Sequence, residues 1–273
     1  MSSPCFFGSF PLNDGINYYT ISKQLDPPAL QYVTSPVARI PGTKSNGSRI
    51  NERPITVVVR VVSTGPNASR IDLESKVDAL LGALQYRQQR LSLHASDSRY
   101  FLCDCVNAPF SFAQGNVLWC DVTCTFVAYT PYAFAAAQST YSIPSTVMGS
   151  ISSGTWGIPV QTITGGGNVF NYPTLVITNT GSVQITTVNI FQQTDGMQLL
   201  TIQNLNANDT LTVYTNPLAA NGLSVLYNNG TPLQFQGAFP VMEPTATLWQ
   251  IYANAATAPS MSCVWTWVSR FAA

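Results

Sequence analysis

The sequence predicts a mainly β protein in two parts: an N-terminal α+β unit of β-sandwich or split-barrel type with one helix, then an all-β sandwich. Three observations predict it. Eleven of the twelve basic residues precede Tyr100, and between Thr140 and Ala273 the only charged side chains are Asp195, Asp209, Glu243 and Arg270. A single stretch, within residues 70–90, carries helical periodicity. From Tyr172 onward, short apolar runs recur between turn signals with no helix among them, the pattern of a sandwich or jelly roll. A change of surface chemistry this abrupt marks a domain boundary.

Leu12-Asn13-Asp14-Gly15 is a turn signal, and Ile16 to Ile21 reads as a short strand. The Pro-, Gly- and Ser-containing segment Pro36 to Asn51 reads as a loop; extended to Arg53 it carries four basic residues. Pro54 to Val62 is a β-branched run so continuous that both faces are expected to be buried. The helix follows, with Asn67 or Ser69 as its cap and Asp72 and Glu74 in its first turns, where the dipole favours negative charge. Ile71, Val77, Leu80, Leu81 and Leu84 are assigned to its apolar face, with Glu74, Lys76, Asp78 and Gln85 facing away and an end near Arg87 to Arg90.

Two strands come next, Arg99 to Val106 and Val117 to Ala128, around an extended connection at 107–116. In the second, Leu118, Cys120, Val122, Cys124 and Phe126 alternate with Asp121, Thr123 and Thr125, so one face is apolar. It closes in Tyr129-Thr130-Pro131-Tyr132, where proline ends the ladder. The first domain is placed at 1–135. Residues 136–170, with Gly165-Gly166-Gly167, read as a linker of which part can pair as an edge strand. The second domain is placed at 171–273, with strands at 174–179, 183–192, 198–205, 210–215, 223–226, 247–253 and 261–268.

Charged residues are 9% of the chain, against roughly 25% in ordinary soluble domains. The hydrophobic content of 45% excludes a disordered chain. A zero formal charge gives no basic field for sequence-specific nucleic-acid binding. No apolar run reaches the length of a membrane span, so no membrane insertion is expected. Met1 to Phe10 has no signal-peptide pattern, which points to assembly in a cytoplasm, and the Asn-x-Ser/Thr matches at Asn46, Asn67, Asn208 and Asn229 read as chance. A neutral polar surface of this kind suits a protein packed beside copies of itself.

Few residues invite chemistry. His94 is the only histidine, which excludes paired-His metal motifs and reads as a surface or packing residue. Cys103, Cys105, Cys120 and Cys124 fall within one predicted hairpin, with Cys5 and Cys263 apart. Four sulfurs could hold zinc or form a cross-strand disulfide, but alternate positions on extended strands suit reduced, buried thiols better than the knuckles of a zinc site. Asp195, Asp209 and Glu243 are the only carboxylates of the second part; turn chemistry accounts for Asp195-Gly196 and Asn208-Asp209 without catalysis. Trp156, Trp249, Trp265 and Trp267 could form a sugar-stacking platform, or close the sandwich core. The core reading is favoured. No residue is assigned a catalytic, cofactor-binding or metal-binding role, and the chain is not expected to be an enzyme.

The order of elements resembles the distal tail protein family of long non-contractile-tailed bacteriophages. The likeness rests on the Leu12 to Gly15 start, the β-branched strand, the one amphipathic helix and the stop Thr125-Phe126-Val127-Ala128-Tyr129-Thr130-Pro131-Tyr132. In the second half it rests on Tyr172 to Gly181, the Leu-x-x-x-Asp-Thr-Leu-x-Val stretch from Leu205 to Val213, the Asn229-Gly230 turn and the ending Ser260 to Arg270. The resemblance implies a tail-tube-like, ring-forming first domain and a galectin-like second domain. It implies a structural virion protein: a homo-hexameric ring joining the tail tube to the tail-tip or baseplate hub, with a channel for DNA passage. Implied partners are the tail tube protein, the tape measure protein, the hub and tail-associated lysin proteins, and receptor-binding proteins. The alternative is a carbohydrate-binding or adhesion module of a tail-tip complex. The cysteine group and the nearly chargeless second half depart from the family pattern.

Overall fold

The computed structural model describes residues 5–28, 30–36, 43–66, 68–94, 98–112, 118–192, 197–217, 220–228 and 230–272. The chain divides into two compact units, Met1–Ala136 with Ala272–Ala273, and Ala137–Phe271.

The first unit runs β1 (Phe6–Phe7), β2 (Phe10–Pro11), β3 (Tyr18–Leu25), β4 (Leu30–Pro36), β5 (Thr43–Ile50) and β6 (Arg53–Val62). Then come α1 (Arg70–Leu84), β7 (Gln89–Ser92), β8 (Arg99–Asn107), β9 (Phe110–Ser111), β10 (Trp119–Ala128) and β11 (Tyr132–Ala135). Its main sheet has the order β2-β1-β7-β8-β10-β6-β3, with β9 added to β10 and β11 to β8. β6 and β10 pair antiparallel from Arg53 opposite Ala128 to Val62 opposite Trp119. Ile55, Val57, Val59 and Val61 of β6 and Cys120, Val122, Cys124 and Phe126 of β10 make the buried face, and α1 lies against β6.

The helix starts at a capping arrangement. Ser69 is extended, and its Oγ accepts from the Asp72 N–H at 3.2 Å. Ser63 Oγ accepts from the Ser69 N–H at 2.9 Å and donates to Asp72 Oδ2 at 2.6 Å, and Lys76 pairs with the same carboxylate at 2.8 Å. The buried stripe is Leu73, Val77, Leu80 and Leu84, a 4-3-4 spacing. Ile71 is 78% exposed: it lies two residues from Leu73, which holds the core-facing position instead. Asn67 lies outside the described residues. The helix ends at Leu84, short of the basic run, with Gln85 as its C-cap, and Gln88, at φ +50°, lies in the turn that leads into β7. Arg87 and Arg90 are therefore outside it.

Three further expectations change. β6 is buried on one face only; Thr56, Val58, Arg60 and Val62 are half-buried, since the helix covers one side. The segment read as a loop holds β5, which pairs with β4 as a separate two-stranded sheet, Pro36 opposite Thr43 and Leu30 opposite Ile50. The strand expected at Ile16 begins at Tyr18. Residues 14–18 are held as a turn by Asp14 Oδ1, which accepts from the N–H groups of Ile16, Asn17 and Tyr18 at 2.8, 2.7 and 2.8 Å.

That turn makes a pH prediction. Partial burial opposes ionisation of Asp14, but the backbone donors of Tyr18, Ile16 and Asn17, with the Asn17 side chain, outweigh it and hold the carboxyl below its ordinary range. Hydrogen bonds from Lys76 and Ser63 do the same for Asp72. A depressed folded-state value stabilises fully above the ordinary value of 3.8, and that stability is lost as pH falls through the folded value. Stability of the first unit is thus expected to decline below about pH 4, and Asp14→Asn to flatten the acid limb of a denaturant-midpoint against pH curve. An unchanged acid limb in that variant would refute the assignment.

The second unit comprises β12 (Ser139–Val147), β13 (Gly149–Ser152), β14 (Thr155–Gly157), β15 (Gln161–Thr164), β16 (Thr174–Asn179), β17 (Ile185–Gln192) and β18 (Met197–Leu205). It continues with β19 (Thr210–Tyr214), β20 (Ser224–Tyr227), β21 (Thr231–Pro232), β22 (Phe235–Gly237), β23 (Ala246–Ala255) and β24 (Ser260–Trp267), and the short β25 (Arg270–Ala272) runs across the division between the units. One sheet has the order β12-β24-β16-β19-β20-β21; the other is β13-β14-β23-β17-β18-β22, with β15 also on β23. Leu175, Ile177, Leu211, Val213, Met261 and Cys263 from the first pack in one core with Ile185, Val188, Ile190, Ile202, Trp249 and Ile251 from the second, as in a sandwich.

The stretch read as a linker differs most from expectation. β12 pairs along β24 from Ser139 opposite Trp267 to Val147 opposite Ser260, while β14 and β15 both pair with β23. These strands escape a periodicity reading because they bring so little to the core: within them Ile143, Gly157 and Ile163 are buried, Met148 and Ile158 are buried just outside them, and the Ser and Thr residues are exposed or half-buried.

Candidate functional site

Two surface features of the first unit stand out. The first is the β4–β5 hairpin. Among the described residues it pairs with no other strand, and an isolated two-stranded ribbon is marginal in water. The second is an aromatic and arginine surface built where β9 meets β10. Arg60 forks onto Asp121, directly opposite it, with 2.8 and 2.9 Å bonds, and lies 4.1 Å from the Trp119 ring. Arg70 sits 3.3 Å over Phe112, whose ring meets Phe110 edge-on at 5.5 Å. Val106, Phe110 and Leu118 are exposed beside them. Both guanidiniums are neutralised, Arg70 by Glu74 at 2.7 Å, so the surface offers aromatic area with little net charge.

His94 is exposed, and its Nδ1 faces Lys23 Nζ at 3.4 Å; a general base in a triad has an acceptor there instead. All six cysteines are free thiols, with Cys105 half-buried and the others buried. Among the described residues, no group of three or more His, Cys, Asp or Glu side chains could hold a metal ion. Burial raises the Cys5 thiol to about 11, and pushes up Cys103, Cys105, Cys120, Cys124 and Cys263 as well. Raised values suppress the reactive thiolate. The native protein is therefore expected to react slowly with a disulfide reagent, Cys105 first, and to show six thiols once unfolded in denaturant without reductant. A count below that total would reveal a disulfide and refute the free-thiol state.

In the second unit the four tryptophans do not form an open platform. Trp249 and Trp265 are 0% and 1% exposed, and Trp267 is buried with its Nε1 donating to Gly165 O at 2.6 Å. Trp156 is half-buried and donates to Ala255 O at 3.1 Å. Asp209 is consumed by its turn: Oδ1 accepts from Asn228 Nδ2 at 2.9 Å, and Oδ2 accepts from the Asn206 N–H at 3.0 Å and from the Tyr227 hydroxyl. Asp195 lies outside the described residues, though β17 and β18 pair on either side of it, Gln192 opposite Met197. Glu243 is half-buried, and its Oε2 accepts from Thr245 Oγ1 at 3.5 Å.

Sequence reasoning missed two asparagines and misread three glycines. Asn179 is fully buried and donates through Nδ2 to Val183, Leu205 and Asn206 carbonyls at 2.8, 3.2 and 3.0 Å. Asn171 is fully buried too; its Nδ2 donates to Gly166 O at 3.0 Å, and its Oδ1 accepts from the Arg270 N–H at 2.8 Å. A signal existed for Asn179, which stands in phase with Leu175 and Ile177, where a core residue is due. Gly165 to Gly167 form no linker. Gly165 O also accepts from Ser269 Oγ at 2.9 Å, the Gly166 N–H donates to Pro244 O at 3.2 Å, and the Asn168 N–H donates to Arg270 O at 3.2 Å. The triplet is a clasp between the 242–244 and 269–270 segments.

This two-part antiparallel β architecture with one helix occurs among solved structures of phage tail proteins. The Dit protein (gp 19.1) of phage SPP1, described as a paradigm of the hub adsorption apparatus in phages infecting Gram-positive bacteria, matches with a TM-score of 0.69 at 13% identity, over 98% of this chain and 99% of its own. Two structures of the phage p2 baseplate in its activated conformation, with strontium and with calcium, match at TM-scores of 0.43 and 0.41. Both are 10% identical, over 96% and 97% of this chain and 98% of theirs. No protein-family model matches the chain, and no curated protein matches its sequence. The chain has the fold of a phage distal tail protein.

Proposed function

We propose that this chain is a structural component of a phage tail tip. Six copies form a ring through the first unit, the galectin-like second unit decorates its outside, and the ring joins the tail tube to the hub while leaving a channel for DNA. The observation that carries this reading is the extent of the likeness to the SPP1 protein, which takes in both units from end to end. The site chemistry supports it: buried thiols, a carboxylate spent on its own turn and tryptophans spent on the core suit a building block. Partners on this reading are the tail tube, the tape measure and the hub proteins, and the location is the distal end of the virion tail.

The test is native mass spectrometry with negative-stain images of the purified chain, alone and mixed with the tube protein encoded alongside it. A six-fold ring with a central channel is expected. A chain that stays monomeric in both samples would overturn the reading. Within it, the β4–β5 hairpin contacts the next subunit or the adjacent ring, because it is a separate two-stranded sheet that carries basic residues, and such a ribbon is stabilised by packing on a neighbour. Replacing Leu30–Ile50 by a short turn is expected to leave both units folded and abolish docking onto tubes. Normal docking by that variant would remove the hairpin from the interface.

A further inference from the structure

Three Asn–Gly pairs occur in the chain, Asn46–Gly47, Asn221–Gly222 and Asn229–Gly230, and the fold treats them differently. Asn46 and Gly47 lie within β5, with ladder pairs on both sides, Thr34 opposite Ser45 and Tyr32 opposite Ser48. Gly230 belongs to the turn between β20 and β21, and its N–H donates to Tyr227 O at 3.2 Å. Asn221 and Gly222 stand outside any strand, just before β20, with Asn221 exposed. Gly222 has φ +55° with no atom within 4 Å of where a Cβ would be. Among the described residues one hydrogen bond engages the pair, from Ser224 Oγ to Asn221 O at 2.8 Å, and it leaves the side-chain amide uninvolved. That bond also polarises the Asn221 carbonyl, which makes the following peptide N–H more acidic.

We propose that Asn221 is a self-modification site of this protein, converting to aspartate and isoaspartate through a cyclic imide. The Gly222 backbone nitrogen loses its proton to solvent base and attacks the Asn221 side-chain amide carbon. A carbon–nitrogen bond forms, the side-chain carbon–nitrogen bond breaks, and ammonia leaves with a proton from water. Water then opens the imide at either carbonyl, giving aspartate or the backbone-extended isoaspartate. No oxidant, reductant or enzyme is needed. Glycine after the asparagine leaves the nitrogen sterically open, and the open surroundings let the five-membered ring close without displacing packed groups. The product adds a negative charge to a unit whose only charged side chains are Asp195, Asp209, Glu243 and Arg270, and in the isoaspartate form it lengthens the backbone entering β20.

The experiment ages the intact purified protein at mildly alkaline pH in heavy-oxygen water, then maps peptides by mass spectrometry and follows charge by isoelectric focusing. The expected result is heavy-oxygen label at position 221, as both aspartate and isoaspartate, accumulating ahead of positions 46 and 229. An acidic satellite band should grow that Asn221→Gln, folded with an unchanged melting curve, does not develop. Label that gathers first at 46 or 229 overturns the proposal. So does a satellite band that grows undiminished in Asn221→Gln.

Discussion

Gly167→Ala should destabilise the second unit by roughly 2–4 kcal/mol. Gly167 has φ +75°, and a Cβ there would stand 2.1 Å from the Arg270 carbonyl oxygen and 3.2 Å from its nitrogen. No rotamer change relieves that overlap, because both atoms are backbone. The neighbouring Gly165 meets the same limit: its Cβ would lie 2.3 Å from Glu243 O. The control is Gly222→Ala, with a similar φ of +55° and open space around it, which carries only the left-handed penalty of roughly 1–2 kcal/mol. Denaturant melts of the three proteins followed by tryptophan fluorescence separate steric from conformational cost. Equal midpoints for Gly167→Ala and Gly222→Ala would show that the clasp is not close-packed.

Trp265→Ala should cost about 3–5 kcal/mol, as truncation of a buried aromatic does. Trp265 lies at the centre of β24, between β12 and β16, opposite Tyr141 on one side and Leu175 on the other, with the Tyr141 ring 5.9 Å away. Its indole N–H, like that of Trp249, is buried with no hydrogen-bond partner among the described residues. Trp265→Phe therefore removes an unpaired donor along with some volume, and should cost far less than the alanine variant. A phenylalanine variant as unstable as alanine would mean that the N–H has a partner after all. The contrast also bears on adhesion. Loss of sugar binding in Trp265→Ala would report a damaged core, so a search for glycan contacts belongs on outward-facing side chains.

Some of this was legible in sequence because its cause is local. The alternation of Cys120, Val122, Cys124 and Phe126 is the pleat itself, and it placed those thiols in the core as reduced residues. Val77, Leu80 and Leu84 of the helix face were legible by their spacing, although Ile71 was assigned to that face in place of Leu73. The likeness to distal tail proteins, read from short motifs, is matched by the solved SPP1 fold. What stayed hidden depends on distant partners. Gly165 meets Trp267 and Ser269 across about a hundred residues, and three glycines in a row look the same in a hinge as in a tight crossing. β12, β14 and β15 bury one residue each and β13 none, too few to set a period, and β5, with Gly47 in its middle, has the composition of a loop.

The register of β12 bears on the order in which the protein can be made. β24 is an interior strand, flanked by β12 and β16. β12 leaves the ribosome more than a hundred residues before its partner exists, and until then its hydrogen-bonding edge is bare. The sheet cannot close vectorially. It must wait for β24, synthesised more than a hundred residues later, and then insert it between strands already formed. Such non-local closure is slow, and the waiting edge invites pairing with a neighbouring nascent chain. The neutral Ser- and Thr-rich surface of β12, with one buried residue, Ile143, limits how sticky that edge can be while it waits.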